Sequence, residues 1–230
     1  MTNDCDYKPT FFPICEFIGS MFLVIAAIAP IILFTSWGAP IYIAVIADAF
    51  AVGFVLFALI EIFGPICTAY FNPAVCIAMA LAKDITWKTA IKYSGFQVLG
   101  GFTGLIFSHL MFYDNNKNII LLEISKIQRN GGIYFAEILG TFILVLCIMS
   151  LVHQKSNRTS LVVGFLVGGM LLATSSTMFA NPQVTIARVF TYSEAGIRVI
   201  DAAIFILMQI FGAILAYLVW KYGVSKCCKV

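Results

Sequence analysis

Long apolar runs dominate the chain and predict membrane-spanning helices. A helix that crosses the hydrocarbon core of a bilayer requires roughly 20 mainly apolar residues. Six such runs occur, at residues 11–34, 41–62, 90–112, 132–152, 160–178 and 199–220. Two of the linkers between them, 63–87 and 179–198, are long and still apolar. Six plain spans do not explain these two linkers.

Composition and charge support a membrane location. The 230 residues are 61% hydrophobic and only 11% charged, too few polar side chains to cover a soluble fold. Nine of the fourteen Lys and Arg residues fall on the side of the N-terminus, which predicts that both termini are cytoplasmic. The expected location is the plasma membrane. The net charge of +3 therefore reflects topology, and no nucleic-acid partner is expected. Residues 1–230 are interpreted as a single channel-like domain.

The chain contains an internal repeat. Three stretches of the first half resemble three of the second half in the same order: CEFIGSMFLVIAA and AEILGTFILVLCI, FNPAVCIAMAL and ANPQVTIARVF, and QVLGGFTGLI and QIFGAILAYL. Repeat one covers about residues 11–112, a loop covers 113–131, and repeat two covers about 132–222. Each repeat has three spans, an odd number, so the second is expected to be inverted relative to the first, with a functional site near the midplane.

An Asn-Pro pair in each apolar linker predicts a helix too short to span. Asparagine is favoured at the N-cap and proline in the first turn, and the apolar runs that follow predict half-helices over Pro73–Ala82 and Pro182–Thr191. Such segments are tolerated at membrane depth only when they are buried in protein or line a cavity. Inverted symmetry brings their N-termini together, and the partial positive charge there predicts a barrier to cations.

These features resemble those of the aquaporin and aquaglyceroporin family across essentially the whole chain. The resemblance rests on the six spans, the repeated glutamates Glu16 and Glu137, and the motifs Asn72-Pro73-Ala74 and Asn181-Pro182-Gln183. It implies an all-α membrane protein with six transmembrane helices plus two re-entrant half-helices in an inverted repeat. It also implies a homotetramer with one pore per subunit, in which Asn72 and Asn181 donate hydrogen bonds to the permeating molecule.

Two residue types in these motifs leave alternatives open. Gln183 replaces the usual alanine, and its side chain either adds a polar group to the pore or tilts away from it. Glu16 and Glu137 are expected to accept backbone N–H bonds from the loops before the half-helices. The alternative for these membrane carboxylates is a proton site in a coupled transporter.

The selectivity filter departs further from the family pattern. Val184 stands where relatives carry an arginine, and counting back along the alignment places the other filter positions at Val52, Gly169 and Met178. Without an aromatic residue, histidine or arginine, this filter is expected to be wide and apolar and to pass uncharged solutes larger than water.

Two charged residues lie one helical turn from the filter positions. Arg188 follows Val184 by four residues, and Asp48 precedes Val52 by four, so both are expected in the outer vestibule. We expect them to form an ion pair. Alternatively, Arg188 faces the interface while Asp48 caps its helix, or Arg188 bends back over the filter.

The sequence predicts a channel without a cofactor. It contains no phosphate-binding loop or nucleophile motif and no cysteine spacing typical of a metal site, so neither an enzyme nor a metal centre is expected. The prediction is a passive channel for water and small neutral solutes. A closed or water-only structural protein and an ion-coupled transporter are the alternatives. The valine and the sequence TIAR resemble a microbial branch associated with arsenic handling, which implies arsenous acid beside glycerol and urea. Cys227 and Cys228 are candidate lipidation sites.

Overall fold

The computed structural model describes residues 11–113, 121–129 and 131–225, and regular structure in these ranges is entirely helical. Eight α-helices follow in chain order: α1 Phe12–Ser36, α2 Ile41–Phe63, α3 Pro73–Ala82, α4 Trp87–Met111, α5 Gly132–His153, α6 Thr159–Ala173, α7 Pro182–Arg188 and α8 Val199–Val219. A turn of π-helix, Trp220–Val224, extends α8. Cys227 and Cys228 lie outside the described residues.

The fold class agrees with the sequence prediction, with corrections at helix ends. Four helices, α1, α2, α5 and α8 with its extension, are long and apolar enough by length and composition to cross a membrane. Helix α4 has 25 residues but carries Lys88 and Lys92 near its start, and α6 has only 15 residues. The fifth run was predicted to continue to residue 178, but α6 ends at Ala173. The hydrogen bond that ends the helix is donated by the Thr174 N–H to the Met170 carbonyl.

The two halves of the chain pack in corresponding ways. Helix α1 lies against α2 and α4, α5 lies against α6 and α8, and α2 contacts α6 across the middle of the molecule. We call the side with residues 121–129 the long-loop face and the side where α1 begins the terminal face. Helices α3 and α7 run outward from the molecular centre, α3 towards the terminal face and α7 towards the long-loop face.

Glycines permit the closest helix crossings. A Cβ atom added at Gly100 or Gly104 of α4 would lie 2.1 or 2.2 Å from a backbone carbonyl oxygen of α1. At Gly212 of α8 it would lie 2.5 Å from the Ile138 carbonyl oxygen of α5. Small residues at these crossings are typical of membrane helices, because dispersion contacts between backbones stabilise their association.

Candidate conduction site

Two buried glutamates hold the loops that lead to the half-helices. Glu16 of α1 accepts hydrogen bonds from the N–H groups of Tyr70 and Phe71, at 2.9 and 2.7 Å. Glu137 of α5 accepts the equivalent bonds from Phe179 and Ala180, at 3.0 and 2.8 Å. Both carboxylates are fully buried, so these bonds satisfy groups that water does not reach. This is the geometry that the loop-supporting interpretation requires.

A glutamine from the last helix of each repeat completes each cluster. Gln97 Nε2 lies 2.8 Å from Glu16, and Gln209 Nε2 lies 2.6 Å from Glu137. The two clusters are therefore related by the inverted repeat. Each carboxylate is surrounded by hydrogen-bond donors, which satisfy its buried oxygens.

The same contacts set the direction of the loop carbonyls. In a planar trans peptide the C=O points opposite to the N–H. Because the Tyr70 and Phe179 N–H groups face the glutamates, the carbonyls of Ala69 and Met178 point away from them, on the side of the cavity. Ala69, Phe71, Met178 and Ala180 all have positive φ, between 39° and 50°. A residue other than glycine rarely adopts a positive φ unless the surrounding structure imposes it.

The two Asn-Pro motifs meet at the centre of the molecule. Asn72 Oδ1 accepts from the Ala74 N–H at 2.9 Å, and Asn181 Oδ1 accepts from the Gln183 N–H at 3.2 Å, so both asparagines cap their half-helices. Across the junction, Asn72 Nδ2 donates to the Ala180 carbonyl and Asn181 Nδ2 donates to the Phe71 carbonyl, each at 2.8 Å. One hydrogen of each amide is left without a partner among the described residues.

An internal cavity runs past both asparagines. It has a volume of about 110 Å³ and is lined by residues of both repeats, from Val152 and Thr159 near the terminal face to Leu171 and Arg188 near the long-loop face. Apolar side chains form most of the wall. A site for one water occupies roughly 10–15 Å³ on this measure, so the cavity is large enough for several waters or a small polyol.

Three of the four predicted filter residues line this cavity, and one does not. Val52, Met178 and Val184 are buried and form part of the wall. The prediction for Gly169 is wrong, because this glycine lies on the outer surface of α6, in a groove beside Phe54. Leu171 lines the cavity instead. Counting back from Val184 did not account for the face of α6 that turns inward, which is marked by Val163, Val167 and Leu171.

Gln183 tilts away from the cavity. Its Nε2 lies 3.5 Å from the Phe71 carbonyl oxygen. Its Oε1 lies against Gly101 of α4, where an added Cβ would be 2.3 Å away. Gly101 therefore provides the space that a glutamine requires in place of the usual alanine.

Arg188 is buried and paired rather than facing the interface. Its Nη2 lies 3.3 Å from Asp48 Oδ2 and also donates to the Ala27 carbonyl. The guanidinium carbon lies 4.3 Å from the centroid of the Phe179 ring. Arg188 lines the cavity, while its Nε has no partner among the described residues. The geometry thus agrees with the expected ion pair.

A second arginine near the same ring was missed by the sequence interpretation. Arg129, from the long loop, places its guanidinium carbon 4.8 Å from the Phe179 centroid. Burial and the neighbouring charge of Arg188 lower the pKa of Arg129 to about 10, so it is cationic at neutral pH. No periodic pattern marks this residue in the sequence.

Comparison with known proteins places this site in a family context. The family model described as Major intrinsic protein matches residues 11–180. Aquaglyceroporin AqpS of Rhizobium meliloti is 30% identical over 210 residues, which cover 91% of this chain and 88% of that protein. A probable glycerol uptake facilitator protein of Thermotoga maritima is 27% identical over 167 residues, covering 67% and 70%.

A solved structure shares the fold. The X-ray structure of the aquaglyceroporin from Plasmodium falciparum superimposes with a TM-score of 0.72 at 18% identity, and the match covers 95% of this chain and 98% of that one. The two chains therefore share one fold over almost their whole lengths.

Proposed function

Because the chain belongs to the major intrinsic protein family, we propose that the central cavity is its conduction path and that it carries glycerol and other small uncharged solutes, with water, passively across the membrane. The observation that carries this proposal is the position of Asn72 and Asn181. Each amide is fixed by a cap and a cross-repeat bond, and each keeps one N–H for a solute oxygen. The wall between these polar points is mainly apolar.

The filter favours solutes wider than water. Val52, Met178 and Val184 offer no hydrogen bonds from their side chains. A solute that passes them must therefore present an apolar surface to these side chains or form its hydrogen bonds elsewhere. Polyols and neutral trihydroxy molecules replace water's hydrogen bonds at the asparagines and the loop carbonyls. Glycerol, urea and metalloid hydroxides such as arsenous acid are the proposed solutes.

Ion exclusion is expected from the half-helices. The N-termini of α3 and α7 meet at the asparagines, where their partial positive charges repel cations. We expect no sodium or potassium conductance through the purified protein. We further propose a homotetramer in the plasma membrane. Both termini lie in the cytoplasm in this proposal, because the distribution of basic residues favours that orientation.

One observation favours a second candidate, a closed or water-only protein with a structural role. The small Gly169 was expected to leave the filter open, but the larger Leu171 lines the cavity together with Met178 and Val184. With Val52, these apolar side chains narrow the path and lower its affinity for polar solutes. Flux measurements distinguish the two functions.

The test is the substitution Val184→Arg in proteoliposomes. The arginine adds volume and a charge at the filter, so glycerol flux should fall at least about tenfold, corresponding to about 1.4 kcal/mol in barrier height, while water flux falls much less. Val184→Thr, which keeps the side-chain shape, should retain glycerol flux. Stopped-flow light scattering measures both solutes. Wild-type protein that passes only water, or nothing, would support the structural candidate.

A further inference from the structure

Three backbone hydrogen bonds hold the described part of the long loop, residues 121–129, against the mouth of the cavity. The N–H groups of Glu123 and Ser125 donate to the carbonyls of Phe190 and Val189, at 3.0 and 2.8 Å. The Arg198 N–H donates to the Ile127 carbonyl at 2.8 Å. These contacts join residues 123–127 to the end of α7 and the start of α8, so this segment forms a fixed part of the mouth.

Arg129 lies at the end of this fixed segment. Its backbone N–H donates to Asp201 Oδ2 at 2.8 Å, and its Nε donates to the Gly196 carbonyl at 3.1 Å. These two bonds orient the side chain towards Phe179, which lines the cavity. The Nη atoms, which carry most of the donors, have no hydrogen-bond partner among the described residues.

Within the described residues, two of the three arginines at this mouth form direct ion pairs. Arg188 is paired with Asp48, and Arg198 is paired with Asp201 at 2.6 Å. Arg129 has no ion pair within the described part of the chain, although Glu137, Asp48 and Glu194 are near enough to influence its charge. None of these carboxylates bonds directly to Arg129, so they do not use its Nη donors. The Nε of Arg188, fully buried and unpaired, adds a second unused donor at the same ring.

We propose that Arg129 and Arg188 form a binding subsite for small monovalent oxyanions at the long-loop mouth, and that an anion held there obstructs the passage of neutral solutes. Guanidinium groups bind carboxylate-like and tetrahedral oxyanions through charge-assisted hydrogen bonds. This proposal rests on the proposed function only for its flux readout.

The test uses methanesulfonate, a monovalent oxyanion that stays charged over the pH range used. Proteoliposomes contain it at equal concentration inside and outside, with chloride as the counterpart at the same ionic strength, so that protein orientation does not matter. In wild type, glycerol flux should fall as methanesulfonate replaces chloride. In Arg129→Met, the half-inhibitory concentration should rise about tenfold or more, equivalent to about 1.4 kcal/mol.

Two further variants distinguish the charge at residue 129 from general effects. Lys126→Met removes an exposed positive charge from the same loop and should leave the block unchanged. Arg129→His should make the block depend on pH, strong below the ordinary histidine pKa of about 6.5 and weak above it, whereas wild type stays constant. A fold defect produces no such pH dependence. Each block is expressed relative to that variant's own flux in chloride.

A second readout keeps the subsite separate from conduction. Methanesulfonate should raise the melting temperature of the detergent-solubilised wild type relative to chloride, and Arg129→Met should lose this shift. If glycerol flux is absent but the shift is present, the proposed function fails and the subsite stands. Equal flux and equal melting temperature in the two anions would overturn the subsite.

Discussion

At the scale of single residues, the buried pair Arg188–Asp48 is the contact most open to test. Both side chains are almost fully buried. Removal of one partner leaves an uncompensated charge, which typically costs about 3–5 kcal/mol, whereas replacement of both by apolar residues is often close to neutral. The pair is therefore expected to show strong coupling.

Asp48→Leu and Arg188→Met should each lower the melting temperature, and the double variant Asp48→Leu/Arg188→Met should lie closer to wild type than either single variant. Thermal unfolding in detergent measures this double-mutant comparison. Independent, additive losses would show that the two side chains do not act as a pair.

Residue positions were predicted well where the chain repeats and poorly where they depend on a loop. Asn72 and Asn181 correspond between the two repeats, as do Glu16 and Glu137, so the role predicted for each residue was supported by its counterpart in the other repeat. Gly169 was placed by counting through the loop before α7, which carries no periodic signal, and the inward face of α6 places Leu171 there instead. The location of Arg129 depends on tertiary bonds between the long loop and α7 and α8.

At the scale of helices, the crossing of α1 and α4 depends on backbone contact. A Cβ at Gly104 would meet the Met21 carbonyl oxygen, a backbone atom that cannot move without shifting α1. Gly95, on the exposed side of the same helix, has nothing within 4 Å of its added Cβ. The two positions form a matched pair on one helix.

Gly104→Ala should lower the melting temperature, since overpacking typically costs about 1–3 kcal/mol. Gly95→Ala should have no effect or raise it slightly, because alanine has the higher helix propensity. Thermal unfolding of both variants under the same conditions gives the comparison. Equal effects at the two sites would contradict the close crossing.

The sequence predicted the last residue of one half-helix correctly and that of the other incorrectly. Helix α3 covers Pro73–Ala82 as predicted, because proline starts it and Lys83 ends it in a left-handed conformation. Helix α7 was predicted to reach Thr191 but ends at Arg188. The carbonyls of Val189 and Phe190 accept bonds from the long loop instead, a tertiary contact with no signal in the local sequence.

At the scale of the whole molecule, the inverted repeat accounts for the site. Two half-helices enter from opposite faces, two glutamates hold their loops, and two asparagines exchange bonds with the opposite loop. A single cavity passes this junction. We propose that conduction through this cavity needs no moving part, which is the property that separates a passive channel from a coupled transporter.

The most direct test of this account is glycerol flux into proteoliposomes that contain the purified wild-type protein, measured by stopped-flow light scattering over a range of gradients. The account predicts flux well above protein-free vesicles that rises in proportion to the glycerol gradient and is unchanged by sodium or proton gradients. Flux no greater than in protein-free vesicles, or saturable flux that follows an ion gradient, would contradict it.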